Sequence, residues 1–210
     1  MIIMDEPIFI TFMRHGRSRA DDEGVIEGRY DSPLTDAGIR QVTQRANLWQ
    51  AEQVHFDRIV CSTLQRVQTS ARIVGEILNA PVEPDPDWME FNNGPLAGLT
   101  FAEAEKRYPT PAFRNPYEPF WESGESEWEI HRRAARAIEN LVRRAAGSTL
   151  VIAHGGILNV ALRCIVGAPI PVNGVGVWFY FGDTGYVRTS YRPDRHQWLI
   201  RELNPGFAET

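Results

Sequence analysis

The chain of 210 residues has a net charge of −5, and 43% of its residues are hydrophobic. This composition is typical of a folded protein with a substantial core, and the negative charge argues against a nucleic-acid partner because phosphate backbones bind positive surfaces. The two cysteines form no CxxC pair, acidic residues stand where a signal peptide would carry basic ones, and no apolar run approaches membrane-spanning length. We therefore expect a cytoplasmic protein with no membrane partner.

Three stretches predict a buried strand that runs through a turn towards a helix. Apolar residues over 8–13 lead to Arg14, those over 58–61 lead to Ser62, and those over 150–153 lead to His154. We expect Ser62 to cap a helix over 64–78 and Gly167 to end a helix over 157–166. Another helix is predicted over 35–49.

The middle of the chain combines two helix starts with an irregular stretch. Capping boxes that begin at Thr100 and Ser126 predict the helix starts, and the second helix is expected to end near Gly147. Residues 108–124, between the two boxes, are rich in proline and aromatic side chains. We predict a lid-like insertion around residues 100–125.

The C-terminal part changes to short alternating runs, over 175–181, 186–191 and 197–202, which predict antiparallel strands. Together with the three strand-to-helix turns, they predict an α/β fold. We expect one domain over residues 1–210, in three α/β/α layers with a mostly parallel central sheet, helices on both faces and an antiparallel C-terminal edge. Ligands of such sheets bind at the carboxyl ends of the strands, so the polar residues at the turns are candidates for one site.

These candidates follow one another in a distinctive order: Arg14 and His15, then Arg66, then Glu90, then His154. Further pieces accompany them, among them GRYD at 28–31, CSTLQR at 61–66 and GES at 124–126. The pattern resembles the histidine phosphatase superfamily, which includes the cofactor-dependent phosphoglycerate mutases, over about residues 8–165.

The resemblance implies that His15 becomes a phosphohistidine, since a neutral imidazole can attack phosphorus. Arg14 and Arg66 would hold the phosphoryl oxygens through charge-assisted hydrogen bonds, and His154 would add a donor. Glu90 would protonate the leaving alkoxide and then activate the hydrolytic water.

Three glycines complete the predicted phosphate site. Gly16, Gly28 and Gly155 are expected to let the backbone approach the phosphate closely and to present amide donors to it. No cofactor is expected, and no metal either, because two of only five histidines are assigned to phosphate and neither cysteine is paired.

Two acidic residues depart from the family pattern. Asp21 stands where the family often has a phosphate-binding asparagine, and we expect this carboxylate to be protonated, turned away or paired with Arg17 or Arg29. Glu27 stands where a small or neutral residue is common, which suggests a substrate with a cationic or hydroxyl-rich group.

Three functions remain open on this basis. The first is a metal-independent phosphomonoesterase for a small phosphorylated metabolite, favoured by a short lid that leaves the phosphohistidine open to water. The second is a phosphoglycerate mutase, and the third is a catalytically silent phosphate-binding regulatory protein, for which Asp21 is the best support. A small phosphate ester is the expected partner, and the sequence leaves a homodimer open.

Overall fold

The computed structural model describes residues 6–119, 121, 123–144 and 147–207. Residues 120 and 122 of the predicted lid lie outside the described residues, as do residues 145 and 146 beside the predicted helix end near Gly147. No helix of the described ranges is long and apolar enough to cross a membrane.

Six strands of the described ranges form one sheet: β1 (Ile8–Arg14), β2 (Arg58–Cys61), β3 (Val82–Pro84), β4 (Ser148–Ala153), β5 (Tyr186–Arg192) and β6 (Gln197–Asn204). Their order across the sheet is β3-β2-β4-β1-β5-β6. The strands β3, β2, β4 and β1 pair in parallel, whereas β5 pairs antiparallel with β1 and with β6. The predicted mostly parallel sheet with an antiparallel C-terminal edge is confirmed.

Six α-helices lie within the described residues: α1 (Arg19–Glu23), α2 (Asp36–Ala51), α3 (Gln65–Leu78), α4 (Phe101–Arg107), α5 (Glu127–Arg144) and α6 (Gly155–Val166). Both predicted capping boxes form. Thr100 and Ser126 each accept a bond from the amide three residues later, and the glutamates at those positions accept from the cap backbone. Each pair satisfies amide groups that a helix start leaves without partners.

Apolar clusters on the two faces of the sheet define the layers. On one face, Trp49 of α2 and Val67 of α3 are fully buried against Leu150 of β4. On the other face, α5 and α6 bury Ile130 and Leu158 against the sheet. Burial of one such aliphatic side chain contributes roughly 1.5–3 kcal/mol, and the paired clusters confirm the predicted α/β/α layers.

Two local predictions are wrong. Leu64, and not Ser62, is the N-cap of α3. Residues 175–181 form no strand, because α6 side chains bind that backbone instead: Asn159 bonds both the amide and the carbonyl of Phe179, and Arg163 donates to the carbonyl of Val177.

Strand register places the ends of β1 and β4 side by side. Arg14 is paired with Ala153 across the two parallel strands, and the amide of His15 donates to the carbonyl of Ala153 at 3.1 Å. The next residues, His15 and His154, therefore leave the sheet together at its carboxyl edge.

Candidate active site

The imidazole of His15 is fully buried, and one of its nitrogens is held by its own turn. Nδ1 lies 2.7 Å from the carbonyl oxygen of Gly16. Because a carbonyl only accepts, Nδ1 carries the proton and the lone pair is on Nε2. Burial, with the positive charges of Arg66 and Arg14, lowers the pKa of His15 well below its usual 6.5. The ring is thus neutral, with its basic nitrogen directed away from Gly16.

The guanidinium of Arg66, at the start of α3, faces that basic nitrogen. Its Nε donates to Nε2 of His15 at 3.2 Å. Its two terminal nitrogens donate to the carbonyls of Tyr30 and Gly28, at 2.9 and 3.0 Å. These bonds fix the orientation of the planar guanidinium group of Arg66. Such a group is suited to binding oxygens of a tetrahedral anion.

Arg14, the last residue of β1, supplies a second guanidinium. One terminal nitrogen donates to the carbonyl of Phe181 at 3.3 Å and lies 3.4 Å from a carboxylate oxygen of Asp183. The turn that contains Asp183 also binds the end of β1, since Thr184 donates its amide to the carbonyl of His15. Arg14 is therefore held at the edge of the same site.

His154, fully buried at the end of β4, lies next to His15 with ring centroids 5.2 Å apart. Its Nε2 is 2.8 Å from the hydroxyl of Ser62, whereas its buried Nδ1 has no hydrogen-bond partner among the residues that the structure describes. Burial and the charge of Arg66 lower the pKa of His154 well below 6.5. Nδ1 is a polar atom whose partner a bound ligand can provide.

Glu90 reaches the site from the loop after β3. Its carboxylate accepts hydrogen bonds from the amides of Phe91, Gly156 and Ile157, at 2.8 to 2.9 Å. Two of these donors belong to the first turn of α6, where the helix dipole also stabilises negative charge. The carboxylate is therefore firmly placed next to the turn that carries His154.

The five predicted residues thus lie together at this edge of the sheet. Comparison with known proteins identifies the family of the chain. The family model of the histidine phosphatase superfamily (branch 1) matches residues 10–203. The chain belongs to this superfamily. It is 31% identical over 173 residues to the probable phosphoglycerate mutase GpmB of Yersinia pestis, a match that covers 76% of this chain and 75% of the relative.

Solved structures share the histidine phosphatase fold. A putative alpha-ribazole-5'-P phosphatase from Escherichia coli superimposes with a TM-score of 0.81 at 22% identity, covering 97% of this chain and 99% of the other. A mycobacterial glucosyl-3-phosphoglycerate phosphatase gives a TM-score of 0.78 at 21% identity, covering 94% and 99%. At these identities the likeness establishes the fold.

The three predicted glycines have different surroundings in this histidine phosphatase. A Cβ on Gly16 would lie 2.5 Å from the carbonyl oxygen of Gly38, so this residue lets β1 approach the start of α2. Gly28 has a φ of +47°, and its carbonyl oxygen accepts a hydrogen bond from Arg66. Gly155 begins α6 and has open space around it. Their binding of phosphate remains a prediction.

Asp21 is paired, but with neither of the expected arginines. One of its oxygens accepts from Arg14 at 3.1 Å, and the other accepts from the amide of Ser18 at 2.7 Å in the capping box of α1. Arg17 pairs with Asp22 instead, and Arg29 donates to the carbonyl of Glu90.

Arg133 of α5 is a functional candidate that the sequence did not single out. It forms two parallel bonds with Glu125, at 2.8 and 2.7 Å. It also donates to three carbonyls of the segment before and at Glu90, those of Asp87, Met89 and Glu90. The loop that carries Glu90 is thereby tied to α5. The GES motif at 124–126, which contains Glu125, was the available signal.

Two cavities are lined by Glu90 and its neighbours in the candidate site. One has a volume of about 370 Å³ and is lined in part by Arg14, Glu27 and Glu90. The other, about 640 Å³, shares Glu27 and Glu90 and extends to Arg114 of the predicted lid and Trp178. The candidate site therefore continues into a space large enough for a small organic molecule.

Proposed function

We propose that the protein is a phosphomonoesterase that hydrolyses small phosphate esters through a phosphohistidine on Nε2 of His15. The observation that carries this proposal is the bond from Nδ1 to the Gly16 carbonyl, which leaves an unprotonated Nε2 beside Arg66. The lowered pKa of His15 supports it, because a protonated ring cannot attack.

In the first step, Nε2 of His15 forms a bond to phosphorus while the bond from phosphorus to the alcohol oxygen breaks. Glu90 transfers its proton to that oxygen, and the alcohol leaves. Arg14, Arg66 and His154 bind the three non-bridging oxygens, whose charge grows in the transition state.

In the second step, water attacks phosphorus and gives a proton to the Glu90 carboxylate, while the N–P bond breaks and restores His15. The amides that bind Glu90 stabilise the negative charge it carries in this half of the cycle. We further propose the cytoplasm as its compartment, because both cysteines are free and thiols stay reduced there.

The deciding experiment measures phosphate release from a panel of alkyl and aryl phosphates and traps the labelled phosphoenzyme in alkaline denaturant. Activity that survives a chelator and an acid-labile adduct are the expected results. His15→Asn should reduce kcat by about a thousandfold or more, the order seen when a nucleophile is removed. His55→Asn, at an exposed histidine, is the matched control. A wild-type protein that releases no phosphate and traps no adduct would contradict the proposal.

The second candidate is a phosphoglycerate mutase, favoured by the name of the 31% identical relative. Incubation with 3-phosphoglycerate, with and without bisphosphorylated primer, separates the two functions. Inorganic phosphate as the product supports the phosphatase, whereas primer-dependent formation of 2-phosphoglycerate supports the mutase.

A further inference from the structure

The carboxylate of Glu27 lies inside the proposed phosphoryl site. Its Oε1 accepts a short hydrogen bond from the Ser18 hydroxyl and is 3.5 Å from Nε of Arg66. Its Oε2 is 3.7 Å from Nε2 of His15. In the free protein, Glu27 therefore supplies the negative charge that Arg66 faces.

A bound phosphoryl group and this carboxylate need the same space. Attack by Nε2 requires phosphorus within about 3–3.5 Å, with the oxygens of the phosphoryl group beyond it. Oε2 of Glu27 already stands at 3.7 Å from that nitrogen, and its Oε1 lies 3.5 Å from Nε of Arg66. Glu27 has to move away when a phosphate ester binds.

The cavities offer the carboxylate a destination. Glu27 lines both of them, and the larger one, of about 640 Å³, is the space available to the leaving alcohol. Aromatic and apolar side chains form part of its wall, including Phe91, Phe101 and Trp178.

The larger cavity is lined by more acidic than basic side chains. Its lining contains carboxyl groups from Asp21, Glu27, Glu90 and Glu127, and guanidinium groups from Arg114 and Arg163. The guanidinium of Arg163 lies 4.6 Å over the ring of Trp178 and its Nε donates to the carbonyl of Val177, whereas its buried Nη2 has no hydrogen-bond partner within the described residues. Four carboxyl groups and two guanidinium groups therefore line this space.

We infer that Glu27 determines which leaving alcohol is accepted: on substrate binding it exchanges Arg66 for hydrogen bonds with hydroxyl or amine donors of that alcohol. This inference rests on the proposed phosphatase function. A neutral polyol or an amino alcohol satisfies the displaced carboxylate, whereas an alcohol with a second anionic group meets an unpaired like charge. The substrate class is thus a phosphomonoester of a donor-rich, non-anionic alcohol.

The test compares three substrates in the wild type, Glu27→Gln and Glu27→Ala. Glucose 6-phosphate has a donor-rich neutral leaving group, 3-phosphoglycerate has an anionic one, and p-nitrophenyl phosphate provides a reference without donors. In the wild type we expect a higher kcat/KM for glucose 6-phosphate than for 3-phosphoglycerate. In both variants this ratio should fall by about tenfold or more, because like-charge rejection is lost. Glu76→Gln removes an equal charge at an exposed site on α3 and should leave the ratio unchanged.

Sulfate binding, followed by calorimetry, separates failure of this inference from failure of the phosphatase proposal. Sulfate is a tetrahedral anion whose binding can be measured without catalysis. Because Glu27→Gln removes the carboxylate charge that competes for the site, sulfate should bind about tenfold more tightly to this variant. The role of Glu27 is overturned if the wild type is active and the Glu27 variants have the same substrate ratio as the wild type. It is also overturned if a folded variant binds sulfate with the wild-type affinity. If the wild type hydrolyses nothing while sulfate binds more tightly to the variant, the phosphatase proposal fails and the displacement of Glu27 stands.

Discussion

The guanidinium of Arg14 is hydrogen-bonded to Asp21 at 3.1 Å, so a cation proposed to hold phosphate already has a carboxylate partner. Burial pulls the pKa of Arg14 down, but the charges of Asp21 and Asp183 more than offset it and leave the pKa above its usual value. The site is therefore partly neutralised before any ligand arrives.

We predict that Asp21→Asn tightens the binding of inorganic phosphate by about tenfold, the size expected when one carboxylate charge near the anion is removed from a partly buried site. The amide oxygen of asparagine can still accept from Ser18 and preserve the capping box of α1. The inhibition constant of phosphate is the measurement. Asp22→Asn is the control, because Asp22 pairs with the more exposed Arg17. Equal tightening in both variants would show that net charge, and not the Arg14 pair, is responsible.

The role of Glu90 as proton donor predicts a dependence on the leaving group. Glu90→Gln should slow the hydrolysis of alkyl phosphates by about 10²–10⁴-fold, the usual contribution of general acid catalysis. Aryl phosphates should lose much less, because their phenolate leaving groups need little protonation. Steady-state kcat for the two ester classes is the comparison, and equal losses on both would exclude the role.

Arg133 is expected to act through Glu90 as a positioning residue. Arg133→Lys removes the guanidinium group that joins Glu125 to the loop carbonyls. An ammonium group cannot replace all five of its hydrogen bonds. We expect kcat for alkyl phosphates to fall by about tenfold or more with little change in KM, and aryl phosphates to be less affected.

The matched control for this prediction lies one turn further along α5. Arg136→Lys changes a more exposed arginine that pairs with the carboxylate of Asp87 and not with the loop backbone. A loss that is the same for alkyl and aryl esters in Arg133→Lys would indicate general destabilisation of the site instead of misplacement of Glu90.

The strands and helices around the site could be predicted because local rules determine them. The run before Arg14 and the run before His154 are apolar and rich in β-branched residues, and the capping boxes at Thr100 and Ser126 have a fixed spacing. The parallel register then brings His15 and His154 together, as expected for strand ends at one edge of a sheet.

Long-range contacts explain what the sequence did not disclose. The run at 175–181 has the alternation of a strand, but Asn159 satisfies the backbone of Phe179 from α6 and no strand forms. Asp183 lies in a turn and pairs with Arg14, 169 positions earlier in the chain. Neither relationship has a local signal.

The fully buried, neutral imidazoles of His15 and His154 give the protein a distinct dependence of stability on pH. Burial, aided by the charge of Arg66, lowers the pKa of both His15 and His154 well below the 6.5 of an exposed histidine. Below pH 6.5 the unfolded chain therefore binds protons that the native protein does not. The free energy of unfolding should fall as the pH decreases through this range, by up to about 1.4 kcal/mol per pH unit for each histidine.

His154→Gln removes one of these two groups, so its free energy of unfolding should fall less steeply between about pH 6.5 and pH 5 than that of the wild type. Urea unfolding at several pH values measures the difference. Carboxylates also lose stabilising interactions in acid, but they are the same in both proteins and cancel in the comparison. His55→Gln, at an exposed position, should keep the wild-type slope. If His154→Gln also kept it, the imidazole of His154 would have to accept a proton in the folded protein, and the neutral site described here would be wrong.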